Sequence, residues 1–284
     1  MKLDRLMLVS FVLLGMATLI YEIAWVRPLQ IVLVSTVYTT TLLFAAFMGG
    51  LSLGSLLMSK YIDKIRNLPN AFALIQAGIA LYGPIMVILF NFMPDIYRAI
   101  YSLNLGFYYL QVLLYLLLFA LILIPTTLIG AAFPVAVKLH TAEKTGQGMG
   151  LIYSLNNLGA IIGSFLAGFI LIPILGIKLT IVAAGVINLI AASLVLMPSV
   201  EVTTKRVMLF LIPAFFILSY FAYYDINEIH SSGYYANAPK EEVTKGKIVF
   251  YEEGAYSTVA VKSYNENDVK ASALFINGKG EGSG

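Results

Sequence analysis

Cysteine is absent from the 284 residues, which excludes disulfides, a thiolate nucleophile and any cysteine-held metal. Histidine occurs only as His140 and His230, too far apart in sequence to suggest a His-rich metal centre or a haem ligand pair. Charge is also scarce. Asp, Glu, Lys and Arg make up 12% of the chain, against roughly 25% in soluble domains. The net charge of +3 is small, and no nucleic-acid partner is expected. What is abundant is apolar surface, at 60% of residues. One globule could not keep that surface from water, so the expected solvent is lipid.

The N-terminus, Lys2 to Arg5 followed by an apolar run, has the start of a signal peptide. The run continues well past the roughly 7–15 residues of a signal core, and no small-x-small cleavage site closes it. It reads as a retained first helix. With roughly 20 apolar residues needed per crossing, about seven spans are expected. They fall near 7–33, 36–59, 71–93, 108–137, 149–174, 177–198 and 206–224. Pro94-Asp95 is expected to open a loop ending near Gly106, and Pro173 to Gly176 to form a tight turn. Pro125 and Pro134 predict a kinked or broken fourth span.

Basic residues set the expected orientation. With the N-terminus in the cytoplasm, Lys2, Arg5, Lys60, Lys64, Arg66, Lys138, Lys144, Lys205 and Arg206 lie inside. Arg98, Lys178 and Arg27 lie on the other side, as does everything after residue 224. Small residues recur at Gly50 and Gly54, and at Gly159, Gly163 and Gly168. Such spacing lets helix backbones approach, either as static packing or as a sliding surface.

Polar residues within spans are costly. Glu22 is expected to be a proton or cation site, or else an interhelical or headgroup contact. Arg27 lies five residues further on, too far around the helix to pair cleanly with Glu22. Gln76, Asn156 and Asn157 are further polar positions, the two asparagines suited to interhelical bonding.

After residue 224 the pattern changes. Residues 225–247 form a polar linker, and residues 248–284 alternate with a period of two. Strands are expected at Ile248–Tyr251, Ser257–Ser263 and Ala271–Ile276, with a hairpin at Asn277-Gly278 and a frayed glycine-rich end. So small a tail does not bury a core alone, and it requires a further domain or a docking partner. The division expected is a helical bundle over 1–224, a linker over 225–247 and a β segment over 248–284.

Four stretches carry a resemblance: LIYEIAWVRPLQIVLVSTVY (19–38), AAFMGGLSLGSLL (45–57), LIPTTLIGAAFPVAVKL (123–139) and GLIYSLNNLGAIIGSFLAGFILIPILG (150–176). They resemble the membrane half of spermidine synthase-like proteins. The tail, YEEGAYSTVAVKSYNENDVKASALFINGKGEGSG (251–284), is similar to the N-terminal β-hairpin domain of the same aminopropyltransferases. The resemblance implies transfer of an aminopropyl group from decarboxylated S-adenosylmethionine to an amine, in a Rossmann-like domain that follows the hairpins. This chain has no glycine-rich strand–helix unit for that role. By resemblance alone, Tyr256 and Glu281 would line the substrate pocket, although Ser257 stands where soluble members carry glutamine. The chain alone is expected to be inactive, with no catalytic residue and no cofactor of its own.

Three roles therefore compete. The chain is the membrane anchor of an aminopropyltransferase, a carrier for polyamines or small cations, or a scaffold whose tail binds another protein. All three place it in the plasma membrane.

Overall fold

The computed structural model describes residues 2–33, 36–140, 145–196, 202–222, 246–254, 257–266, 269–277 and 279–283. Its helices are α1 (Lys2–Leu33), α2 (Thr36–Tyr61), α3 (Leu68–Tyr101), α4 (Phe107–His140), α5 (Thr145–Leu166), α6 (Ile172–Leu196) and α7 (Val202–Phe221). A 3-10 turn, Ile62–Lys64, follows α2, and a π-helical turn, Ala167–Leu171, joins α5 to α6. The strands are β1 (Lys247–Glu253), β2 (Thr258–Glu266), β3 (Val269–Ile276) and β4 (Lys279–Ser283).

Five helical stretches are long and apolar enough to cross a membrane: Arg5–Leu33, Val37–Lys64, Leu68–Tyr101, Tyr108–His140 and Gly146–Leu196. Arg206–Phe221 is apolar but shorter. This is the pattern of an integral membrane protein. The aromatic side chains agree with a lipid solvent. Phe11, Tyr21, Trp25, Phe47 and Phe72 fill the interior, while Tyr108, Phe210 and Tyr220 project outward.

The 51-residue stretch Gly146–Leu196 far exceeds the roughly 20 residues that one crossing needs. It is broken at Gly176, with φ 77° and ψ 172°, a conformation open to glycine because it has no Cβ. Packing along α1 gives the direction of each half. Val12 and Met16 lie against Gly159 and Gly163, so α1 and α5 run parallel. Tyr21 lies against Gly185, and Arg27 and Ile177 both reach the sheet, so α1 and α6 run antiparallel. The chain therefore reverses at Gly176 alone, and Pro173–Leu175, expected in a tight turn, remain helical.

Prolines interrupt α3 and α4 less than expected, since neither helix ends at them. Helix α3 continues through Pro94 to Tyr101, where a loop was expected; the irregular segment begins only at Ser102. The lost N–H at Pro94 removes one hydrogen bond, while Asp95 and Arg98 pair one turn apart at 3.0 Å and support the extension. Helix α4 runs unbroken through Pro125 and Pro134. A proline frees the carbonyl four residues before it, and neighbouring helices supply the missing donors. Tyr82 Oη of α3 donates to Leu121 O at 2.8 Å, and Ser55 Oγ of α2 donates to Gly130 O at 2.9 Å.

The four strands form one antiparallel sheet in the order β1-β2-β3-β4. A bulge interrupts β1 between Ile248 and Phe250. The glycine-rich end expected to fray instead supplies β4, whose backbone pairs with β3 from Ile276–Lys279 to Ala273–Ser283. Ladder bonds need only main-chain groups, so glycines do not forbid them. Residues 223–245, which include nearly all of the expected linker, lie outside the described residues.

Candidate functional site

The sheet meets the bundle at one polar seam. Arg27, near the end of α1 and 9% exposed, donates through Nη1 to Asn277 Oδ1 at 3.3 Å and through Nη2 to Gly254 O at 3.4 Å. Asn277 sits in the β3–β4 turn with φ 49°, a left-handed conformation that asparagine tolerates. Its Oδ1 also accepts the Thr258 N–H at 2.9 Å, while its own N–H donates to Thr258 O at 2.9 Å. One asparagine thus ties β2, the turn and α1 together.

The second half of the seam is a carboxylate. Glu253 Oε2 accepts the N–H of Ile177, and Glu253 Oε1 accepts the hydroxyl of Tyr251. Ile177 opens the helix after the Gly176 break, where N–H groups lack intrahelical partners and the helix dipole favours an anion. Glu253 caps that end across the domain seam. A Cβ on Gly176 would stand 2.9 Å from Glu253 Oε2, so glycine here serves both the backbone angle and the approach of the carboxylate. Arg27 and Glu253 attract one another across the same seam. Glu253 is half-buried, because it is directed at a helix end rather than at water.

The other expected positions scatter. Tyr256 lies outside the described residues, and Glu281 falls in β4. Glu22 is half-buried on α1. Asn156 packs on α1, where a Cβ at Gly15 would overlap its carbonyl oxygen; Asn157 is half-buried beside it. Gln76 is fully buried on α3, and neither amide atom makes a hydrogen bond. Asn188 on α6 is also buried and faces the Tyr21 hydroxyl, and Trp25 Nε1 has no hydrogen-bond partner among the described residues. These neutral groups occupy the interior between α1, α3 and α6.

The packing glycines divide. A Cβ at Gly50 would overlap Thr126, at Gly54 the Thr127 carbonyl, at Gly159 the Val12 carbonyl and at Gly163 the Met16 carbonyl. Gly168 has nothing within 4 Å of such a Cβ. It lies in the π-helical turn, five residues after Gly163, a step that carries it about 140° around the helix from the α1 face.

Sequence reasoning read Asn277 only as a hairpin residue and gave no role to Glu253, Asn188, Tyr82 or Ser55. The last two had a readable signal, since a hydroxyl is wanted wherever a proline interrupts a span. Among the described residues no three His, Cys, Asp or Glu side chains cluster as a metal site requires.

Comparison with known proteins gives a distant likeness. The chain is 28% identical over 195 residues to a polyamine aminopropyltransferase of Corynebacterium efficiens, covering 66% of this chain and 34% of that protein. The chain thus spans about a third of the length of the curated relative it matches. No family model matches, and no solved structure matches. The class defined by fold and likeness is an apolar helical membrane protein with a distant aminopropyltransferase relationship.

Proposed function

We propose that the chain is the transmembrane portion of a spermidine synthase-like aminopropyltransferase, holding the platform for a catalytic domain at the membrane. The observation that carries this reading is the likeness over 195 residues to a polyamine aminopropyltransferase, joined to a sheet fastened on the bundle through Arg27 and Glu253. In this reading residues 1–224 are the bundle, 225–247 a linker and 248–284 the first part of the β domain. The donor of the complete enzyme is decarboxylated S-adenosylmethionine, and Tyr256 and Glu281 contribute to its pocket.

The bundle crosses the plasma membrane seven times with its N-terminus in the cytoplasm. Charge bias supports that orientation. The seam supports the odd number of crossings, since it puts the tail on the side where α1 ends. Arg27 ends the first crossing, and Gly176 lies at the turn between the fifth and sixth. Two further crossings by α6 and α7 return the tail to the same side, where Arg27 and Ile177 receive it. The tail is then non-cytoplasmic.

A carrier for polyamines draws on the buried Tyr21, Gln76 and Asn188, but these groups are neutral. Glu22 is the sole acid between Asp4 and Asp63, and a dication inside a membrane calls for paired carboxylates. The anchor reading is therefore preferred to the carrier, and to a scaffold without chemistry.

The test is an assay for spermidine and methylthioadenosine from decarboxylated S-adenosylmethionine and putrescine. The purified 284-residue chain is expected to show no turnover, because deprotonating the amine needs a walled pocket with a positioned carboxylate, and the described sheet is a single layer that walls none. The product of the gene read past codon 284 is expected to show turnover. Absence of turnover in that longer product, or a reading frame that stops at Gly284, would overturn the anchor reading.

A further inference from the structure

Lipid offers no hydrogen bonds, so a polar side chain inside a bundle has to find its partner there. Part of this interior departs from that rule. Gln76 of α3 is 0% exposed, and neither its oxygen nor its nitrogen has a hydrogen-bond partner among the described residues. Trp25 of α1 is 1% exposed, and its Nε1 has none either. Asn188 of α6, also 1% exposed, faces the Tyr21 hydroxyl. A single contact with a hydroxyl engages one atom of an amide, which leaves the other atom of Asn188 to be satisfied.

These groups belong to one region. Phe11 packs on Phe72 and Tyr21 on Gly83, so α1 and α3 run parallel, and both run against α6. The Tyr21 hydroxyl is wedged between the other two helices. A Cβ would stand 2.9 Å from it at Gly83 of α3 and 3.2 Å from it at Gly185 of α6. The Trp25 ring stacks on Tyr21 with 5.2 Å between centroids. Gln76, Ala80 and Gly83 recur at helical spacing and share one stripe of α3. Counted from the level of the Tyr21 hydroxyl toward the start of α3, Asn188 lies about 4–5 Å along the axis and Gln76 about 10 Å, at the rise of an α-helix. Ala77, Ala80 and Ala192, which pack together at these levels, are small and hold α3 and α6 close.

We propose that Tyr21, Trp25, Gln76 and Asn188 form an intramembrane site for ordered water, which bridges α1, α3 and α6. The chemistry of the four side chains selects the ligand. All are neutral, so the site offers no counter-charge to a desolvated ion. The amides and the hydroxyl both donate and accept, while the indole only donates. Water does both as well, and a buried water needs about 2–4 polar partners, which these side chains supply. With ~2.8 Å on either side, one water spans about 5–6 Å, close to the difference in level between Asn188 and Gln76. The close approach of α3 and α6 keeps the bridging molecule small. This inference concerns the bundle alone and stands apart from the anchor reading.

The sign of a stability change tests it. Gln76→Leu and Asn188→Leu each replace an amide by an apolar side chain of similar volume in the 284-residue chain. An amide bridged through water leaves its partner stranded when it is removed, so each variant should lower the unfolding temperature in detergent by about 2–4 °C. The double variant should fall little further than either single one, because both remove the same bridge. Gln76→Asn keeps both amide atoms one methylene shorter, and a water can follow it, so most of the loss should be recovered. A dry amide without partners predicts the opposite, since an apolar replacement then stabilises. A rise in unfolding temperature for Gln76→Leu, or additive effects in the double variant, overturns the proposal. A second reading needs no variant. Trp25 is the sole tryptophan, so its fluorescence lifetime reports this site without a label. An indole bonded to exchangeable water should show a longer lifetime within minutes of transfer into D2O. A lifetime that stays unchanged over those minutes also overturns the proposal.

Discussion

The hydroxyl of Tyr82 donates to the carbonyl of Leu121 at 2.8 Å, and Leu121 lies four residues before Pro125, whose missing N–H would have bonded that carbonyl. Ser55 and Gly130 repeat the relation ahead of Pro134 at 2.9 Å. In lipid no water can satisfy a freed backbone carbonyl, so the neighbouring helix must. Helix α4 stays continuous because α2 and α3 each offer a hydroxyl at the right level.

Tyr82→Phe should therefore destabilise the bundle by about 0.5–1.5 kcal/mol, the net worth of a buried hydrogen bond. Pro125→Ala restores the intrahelical bond, so Tyr82→Phe in that background should cost distinctly less. A double-mutant cycle read by thermal unfolding in detergent checks this. Additive effects would mean that Tyr82 acts by packing alone.

At Gly163 a side chain would overlap the Met16 carbonyl, whereas at Gly168 it meets open space. Gly163→Leu should lower the unfolding temperature markedly, because α1 and α5 cannot separate without losing their contact. Gly168→Leu should leave that temperature nearly unchanged. The two single variants measured side by side decide the point, and equal shifts would contradict the packing.

Removal of the Arg27 or Glu253 side chain should loosen the sheet from the bundle. Arg27→Ala leaves Gly254 O and Asn277 Oδ1 without their cation, and Glu253→Ala uncaps Ile177. Each should cost about 1–3 kcal/mol of local stability. Hydrogen exchange should rise in β1 and in the first turn after Gly176. Glu253→Gln keeps an acceptor oxygen and should retain part of the protection.

Lys262 is 3% exposed, and burial pushes its pKa below the ordinary 10.5. The folded sheet then binds fewer protons than the unfolded chain between the lowered value and 10.5. Sheet stability should rise with pH through that window and fall back toward neutral pH. Exchange protection of β2 followed from pH 8 to 10.5 tests the sign, and Lys262→Met should flatten the profile.

Orientation can be read from an impermeant thiol reagent on intact cells. Ser272→Cys, exposed on β3, should label without permeabilisation, and Arg66→Cys only after it. The reverse pattern would invert the orientation derived from charge bias, and labelling of both sites from one side would contradict the seam.

The amino-acid sequence by itself determined the solvent. An apolar share of 60% and helix-length runs leave lipid as the medium, and period-two alternation in the tail announces strands, because both are local properties of neighbouring residues. The approach at Gly50, Gly54, Gly159 and Gly163 was legible for the same reason, since a four-residue spacing marks one helix face. Gly168 follows Gly163 by five residues and sits in the π turn itself, so it leaves the α1 face. The seam was decided only by tertiary structure. Arg27 and Asn277 are 250 residues apart, and Glu253 finds Ile177 across 76. No local pattern can tell that a strand's carboxylate will cap a helix broken by Gly176. That partnership exists only once α1, α6 and the sheet have been brought to the same end of the bundle.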